Sequence, residues 1–337
     1  MKKIFNLIAS FVLLAGFSAC NKDGSDKPGL PPAPVPTVNY KGLTFISSGK
    51  STVCLAKVGA PDEITLEYST DESQWNPYTI GEKISMADGS FLLFRAGEQK
   101  NLTFSKGSDS YYHFEISGPV TAQGNIMSLL DRDFSTPLST NAFFALFEGC
   151  TSLLSAPELP ATTMEQGCYF RMFAECTGLK SAPELPAKEL AYNCYGWMFK
   201  GCSALTYVPD LPATEMVSYC YNNMFANCTS LKFAPELPAT RLDMGCYHCM
   251  FEGCTSLTSA PELPATELVS NCYEFMYKDC RNLRYVIGLF TTEPSEKTTK
   301  DWLSGVAASG TFIKSKKATW DVTSEHGVPE GWKIETW

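Results

Sequence analysis

From Cys150 to Cys280 the apolar positions of the chain recur with a fixed period of 26 residues. Cys150, Cys176, Cys202, Cys228, Cys254 and Cys280 form one series, and Cys168, Cys194, Cys220, Cys246 and Cys272 a second. Prolines keep the same register in pairs, at 157/160, 183/186, 209/212, 235/238 and 261/264, and no insertion interrupts it over 130 residues. A constant period in this range predicts a solenoid, in which each unit buries its apolar side only by stacking on its neighbours.

Within a unit, Cys272, Met276 and Cys280 lie four apart, with Tyr273 and Tyr277 beside them. This pattern predicts a short helix with one apolar face. Asn271 precedes it, as Gly167, Asn193 and Gly245 do in other units, which suits a cap or turn; Tyr219 departs from the rule. Leu257 and Ala260 open an extended segment that Pro261 and Pro264 cut short, because neither proline has an N–H to give to a neighbouring unit. Each coil is therefore expected to hold a stub of strand and a short helix. At a strand spacing of about 4.8 Å, five coils make a rod of roughly 24 Å.

Outside the repeat the pattern changes. Short alternating runs at 43–46, 52–55, 64–68, 91–94 and 112–116 predict a small, immunoglobulin-like β-sandwich over 39–120. Tyr68–Asp71, followed by Trp75 and Tyr78, reads as two strands joined by a polar turn. The segment from Gly124 to Ala145 leads into the first coil as an atypical capping coil, so the solenoid is placed at 121–290. After Cys280 the repeat fades. Residues 291–337 are expected to cap the last coil, with a short helix around Asp301–Val306, a strand around Thr311–Lys314, and Trp320, Trp332 and Trp337.

The N-terminus carries Lys2 and Lys3, an apolar run from Ile4 to Phe17, and then Ser18-Ala19-Cys20. This is short for a membrane span and has the form of a secretory signal over 1–19. Phe17-Ser18-Ala19-Cys20 resembles a bacterial lipobox, which implies lipidation of Cys20 and anchoring by several acyl chains. Five prolines between 28 and 36 make residues 20–38 a stalk. Removing Lys2 and Lys3 with the signal takes the net charge from −9 to −11, which argues against a nucleic-acid partner. Asp23 and Asp26 loosely resemble a surface-export signal. The expected location is the outer membrane or cell surface.

The recurring unit M-F-x-x-C-x-x-L-x-x-A-P-E-L-P-A, as in Met172-Phe173 to Ala187, is similar to that of the BspA-like leucine-rich-repeat surface proteins, over about 143–290. The common leucine-rich consensus is met in part: Leu257 and Ala260 fit, Glu262 takes the next slot, and the asparagine is absent. The resemblance implies a leucine-rich-type solenoid with a short strand and short helix per 26-residue coil. It also implies an adhesive surface lipoprotein that binds protein or glycoprotein partners, extracellular-matrix glycoproteins among them.

The chemistry of the side chains points the same way. Cys168 and Cys176 would lie about 12 Å apart along a helix, too far for a disulfide; a small apolar group at a fixed slot favours buried free thiols in both series, with ladder disulfides between equivalent cysteines of adjacent coils as the alternative in an oxidising exterior. Cys249 stands outside both series and is expected to be exposed and reactive. Cys246-Tyr247-His248-Cys249 has the spacing of a metal ligand pair, but no second pair follows, so no metal or other cofactor is expected. His113, His248 and His326 fall in different modules without a nucleophile motif, so an enzyme is not expected.

The candidate binding residues repeat with the coils. Glu158, Glu184, Asp210, Glu236 and Glu262 form an acidic row, and Tyr207 and Phe233 a possible aromatic patch in adjacent coils. Trp75 is a candidate platform for a sugar ring, weighed against packing in the sandwich. The expected function is non-enzymatic recognition along the solenoid. The alternatives are glycan capture by the sandwich and a purely structural envelope role. Oligomeric state is not fixed by any of these features.

Overall fold

The computed structural model describes residues 42–100, 102–320 and 326–337, all within one compact unit, Val38–Trp337. The signal segment, Cys20 and the proline-rich stalk lie outside the described residues. No helix among the described residues is long and apolar enough to cross a membrane.

Nine strands build the N-terminal part: β1 (Leu43–Ser47), β2 (Ser51–Val58), β3 (Leu66–Ser69), β4 (Asn76–Tyr78), β5 (Ile84–Met86), β6 (Phe91–Ala96), β7 (Ser105–Gly107), β8 (Ser110–Ser117) and β9 (Val120–Gln123). One sheet runs β9-β1-β6-β3-β4 and a second β5-β2-β8-β7, with antiparallel pairs throughout. They pack face to face through Phe45 and Phe94 of the first sheet and Phe114 of the second, whose rings meet edge-on at 5.1 and 5.6 Å. Such edge-to-face pairs suit the aromatic quadrupole.

The coil interior corrects the expectation of a short strand plus a short helix per repeat. Among the described residues the one helical element is a 3₁₀ turn at Ile126–Leu129, and no coil contains a helix. The segments read as helices are ribbons of overlapping four-residue turns. In the second ribbon, the N–H groups of Phe170, Met172, Ala174 and Cys176 each donate to the carbonyl three residues back. The intervening N–H groups, of Tyr169, Arg171, Phe173 and Glu175, donate to Cys194, Gly196, Met198 and Lys200 of the next coil at 2.7–3.0 Å. Half of the backbone is thus satisfied locally and half by the neighbour, which meets the requirement that buried amides be paired.

The backbone makes this possible by entering the left-handed region every fourth residue. Gly167, Arg171 and Glu175 have φ of 60, 59 and 59°. The third residue of every second turn therefore has the positive φ of a type II turn. An α-helix is excluded because a left-handed residue breaks its i→i−4 bonding. Positive φ recurs at 145, 171, 197, 223, 249, 275 and 301, and again at 149, 175, 201, 227, 253, 279 and 305. Seven ribbons therefore share the 26-residue register. The seventh, around Asp301 and Gly305, occupies the place of the short helix expected at 301–306.

Two aromatic columns run through the stack. Phe143, Tyr169, Tyr195, Tyr221, Tyr247 and Tyr273 stack at 5.7–6.0 Å and end on Trp302. Phe147, Phe173, Phe199, Phe225, Phe251 and Tyr277 stack at 5.3–5.7 Å. Between these rings the cysteines are free and buried. The thiols of Cys176, Cys202, Cys228, Cys254 and Cys280 donate to Phe147, Phe173, Phe199, Phe225 and Phe251 carbonyls at 3.0–3.2 Å. Those carbonyls already accept an amide from their own ribbon. The thiol serves the second lone pair, which alanine could not do.

On the opposite side the prolines keep pairing sparse. Isolated parallel bridges join Ser181 to Tyr207 and Phe233 to Ser259. Regular strands appear only at the two ends. β10 (Leu153–Ser155) pairs in parallel with β9, so the sandwich sheet runs into the stack. β11 (Ser259–Leu263), β12 (Tyr285–Gly288), β13 (Thr311–Lys314) and β14 (Lys333–Thr336) form a parallel sheet at the other end. Trp302, Trp320 and Trp332 are buried there, and their indole N–H groups donate to Gly327, Phe290 and Ala307 carbonyls.

Candidate recognition face

The proline-bearing edge places the acidic row. Glu158, Glu184, Asp210 and Glu236 are exposed and Glu262 is half-buried, one carboxylate per coil. Each stands between two prolines in Pro-x-Leu-Pro, and the leucine beside it, such as Leu159, Leu185 and Leu211, is buried. The alternation of a strand thus turns the acid outward while the leucine anchors the segment. Asp210 accepts the Glu236 amide at 3.4 Å, a local answer to like charges in adjacent coils. Glu158, Glu184 and Glu262 enter no ion pair among the described residues.

Tyr207 and Phe233 occupy this edge but do not meet. No ring contact joins them, and they pair instead with serines, Tyr207 with Ser181 and Phe233 with Ser259. Phe233 is 42% exposed. Tyr207 is half-buried, and burial, with the charges of Glu184 and Asp210 beside it, pushes its phenol up. Between the first two coils the edge opens into a groove of about 250 Å³, lined by Pro157, Leu159, Pro160 and Pro186 and rimmed by Glu158 and Glu184. This lies below the range of small-molecule pockets and suits a single side chain.

Trp75 sits on the sandwich, half-buried. The guanidinium of Arg95 lies over its ring at 3.7 Å. Arg95 is held there by two hydrogen bonds to Glu67, at 2.9 and 3.0 Å, and Arg132 grips the other Glu67 oxygen at 2.7 Å. One face of the indole is therefore occupied.

The outer face of the ribbons carries groups that the repeat pattern did not bring forward. Lys200 lies 3.7 Å over the Trp197 ring, and the Trp197 indole donates to Asn222 at 2.9 Å. Asn222 in turn donates to the Asn193 side chain and the Tyr219 carbonyl, tying two adjacent coils together. Tyr192 and Tyr219 meet edge-on at 6.1 Å, and Tyr219 donates its amide to Met244. Tyr192 and Met244 are 47 and 44% exposed, so an apolar corner stands open there. These residues fall at slots that differ from coil to coil, which is why the periodic pattern hides them; two tyrosines in neighbouring coils at 192 and 219 were the available signal.

Cys249 corrects the expectation of an exposed, reactive thiol: it is buried at 6% exposure. Burial, and next the Glu252 carboxylate, push its thiol well up. His248 Nε2 lies 3.8 Å from Cys249 Sγ and 3.6 Å from Glu274. Burial pulls that imidazole down against the pull of Glu274. The cluster thus holds its thiol and imidazole neutral, the opposite of an activated nucleophile. Among the described residues no group of three or more His, Cys, Asp and Glu side chains is arranged to hold a metal ion.

Compared with protein-family models, with curated proteins and with solved structures, the chain gives no match.

Proposed function

We propose that this chain is a lipid-anchored, non-enzymatic recognition protein of the cell surface, whose stack binds a protein or glycoprotein partner. The resemblance of its repeat to the BspA-like surface proteins suggests the class of partner, matrix glycoproteins included. The observation that carries the reading is the acidic edge: one outward carboxylate per coil, each held between prolines over a buried leucine. A row fixed by the backbone repeat offers many weak contacts at constant pitch, the manner in which solenoids use extended surfaces. The nucleophiles of the stack support it from the other side, since burial keeps the thiols protonated.

The rival reading, glycan capture on the sandwich, draws on Trp75, whose ring Arg95 half covers. Titrating the full chain over immobilised matrix glycoproteins and over polysaccharides separates the readings. Saturable glycoprotein binding that falls about tenfold on Glu184→Gln with Asp210→Asn supports recognition along the stack. Polysaccharide binding abolished by Trp75→Ala supports the rival. Binding to neither class leaves a structural role and overturns both.

A further inference from the structure

The groove between the first two coils has a composition that selects its occupant. Its lining is mostly apolar, from Ala156, Pro157, Leu159, Pro160, Pro183 and Pro186, and it includes two acidic residues, Glu158 and Glu184, one from each coil. Both carboxylates are exposed, and neither is engaged by a cation among the described residues. Lys180 and Lys188, the nearest lysines in sequence, enter no ion pair with them. An apolar trough ending in paired negative charge matches one kind of side chain: a long alkyl stem with a positive end.

The geometry points to this groove as a docking slot for a lysine side chain of the partner protein. The lysine stem covers the proline rings while its ammonium sits between Glu158 and Glu184. Lysine is suited to this because its four methylenes lie readily along apolar surface while the head stays with water and charge. The two parts are needed together. A carboxylate pair at an exposed site gives only weak, salt-screened attraction. Apolar floor alone would accept leucine equally well. In the third coil Tyr207 stands beside Glu184 and Asp210, so its phenol and the carboxylates offer the same combination one step along the edge. The inference rests on recognition along the acidic edge and names the chemistry that the edge would seize.

The test uses the full chain and three short probes: hexalysine, a hexamer of 2,4-diaminobutyrate, which is also cationic at neutral pH but has two methylenes per side chain in place of four, and hexaglutamate. Calorimetry at physiological salt is expected to give saturable binding of hexalysine, binding of the short-stemmed hexamer weaker by about tenfold, and none of hexaglutamate. Glu158→Gln with Glu184→Gln is expected to remove the hexalysine signal. Glu63→Gln with Asp88→Asn, which makes the same change of net charge at exposed sandwich positions, is expected to leave it intact. Equal binding of the two cationic hexamers, or equal loss in both double variants, would show attraction to net charge alone and overturn the slot.

Matrix glycoproteins run against the same variants separate this inference from the wider reading. Glycoprotein binding that ignores both Glu158→Gln with Glu184→Gln and competing hexalysine overturns the slot and leaves recognition standing. Selective hexalysine binding without any glycoprotein binding does the reverse.

Discussion

The rings of Phe114 and Phe147 stack with centroids 5.2 Å apart and planes 14° from parallel, one ring from the second sheet of the sandwich and the other from the first ribbon. Around them Phe114 donates its amide to Leu146 at 2.7 Å, and the Cys150 thiol donates to the Phe114 carbonyl at 3.0 Å. The sandwich is thus the first rung of the Phe column, and its sheet supplies the backbone partners that a ribbon would otherwise take from another ribbon.

Phe147→Ala is therefore expected to destabilise sandwich and stack together, by about 3–5 kcal/mol as for buried phenylalanines elsewhere. Denaturant unfolding followed by tryptophan fluorescence and by circular dichroism should give coincident transitions, shifted equally. Separate transitions for the two signals would show that the joint does not couple them.

Tyr221 presents the opposite case. Its ring is fully buried in the column, and its hydroxyl, like those of Tyr169 and Tyr277, has no hydrogen-bond partner. An unsatisfied buried hydroxyl costs about 1–3 kcal/mol. Tyr221→Phe keeps the stacking and should raise stability by about 1 kcal/mol, read as an upward shift of the denaturant midpoint. A loss of stability would mean that the phenol is satisfied in solution.

The buried thiols set an alkaline limit. Burial pushes Cys150, Cys194 and Cys254 up to about 12 and Cys272 to about 11, from an ordinary value of 9.0. A folded thiol that holds its proton more tightly than an unfolded one leaves stability whole below pH 9. Above that, the unfolded chain sheds protons that the folded chain keeps, and stability falls through the window from 9 toward 11 and 12. Each group contributes up to about 1.4 kcal/mol per pH unit, so these four together give a slope of at most roughly 5–6 kcal/mol per pH unit. Cooperative unfolding is expected between about pH 9.5 and 11, with thiolate absorbance appearing in the same step. Thiolate formation without loss of structure would overturn the account.

Asn222 holds two adjacent coils together through its side chain, with Trp197 and Asn193 bound to its amide. Asn222→Ala should cost about 1–3 kcal/mol, because both partners lose a bond at a poorly hydrated site. Hydrogen exchange should quicken first at the ribbon amides of 193–201 and 219–227. Uniform quickening along the whole stack would assign the loss to global stability alone.

The period, the buried slots and the outward acids were all legible in the sequence, because each follows from which residue type repeats at a given place. The ribbon was not. Cys168, Met172 and Cys176 at intervals of four fit a helix over two turns as well as they fit a ribbon whose true period is four. Gly167 and Asn193 hint at left-handed backbone, but Arg171, Trp197 and Phe275 adopt it as well, and nothing in those side chains announces a positive φ. The seventh ribbon lacks the cysteines and methionines of the others, and Gly305, 26 residues after Asp279, is its one plain mark. Trp75 was legible as a ring that either packs in the sandwich or offers a face to a sugar; that Arg95 would be laid across it depends on sheet register, which pairs Glu67 with Arg95.

The alternation of local and neighbouring hydrogen bonds has a consequence for how such a chain can change its length. Every ribbon from the second to the sixth turns the same set of donors toward one neighbour and the same set of acceptors toward the other. The backbone of a ribbon therefore carries no mark of its own place in the order. A gene in which a stretch such as 228–253 is duplicated would encode a protein that closes over the extra coil, whereas a gain or loss of any other length would leave one rank of amides facing nothing. The reach of the molecule is thereby counted in whole coils, and unequal recombination between near-identical repeats is the genetic event best matched to that arithmetic.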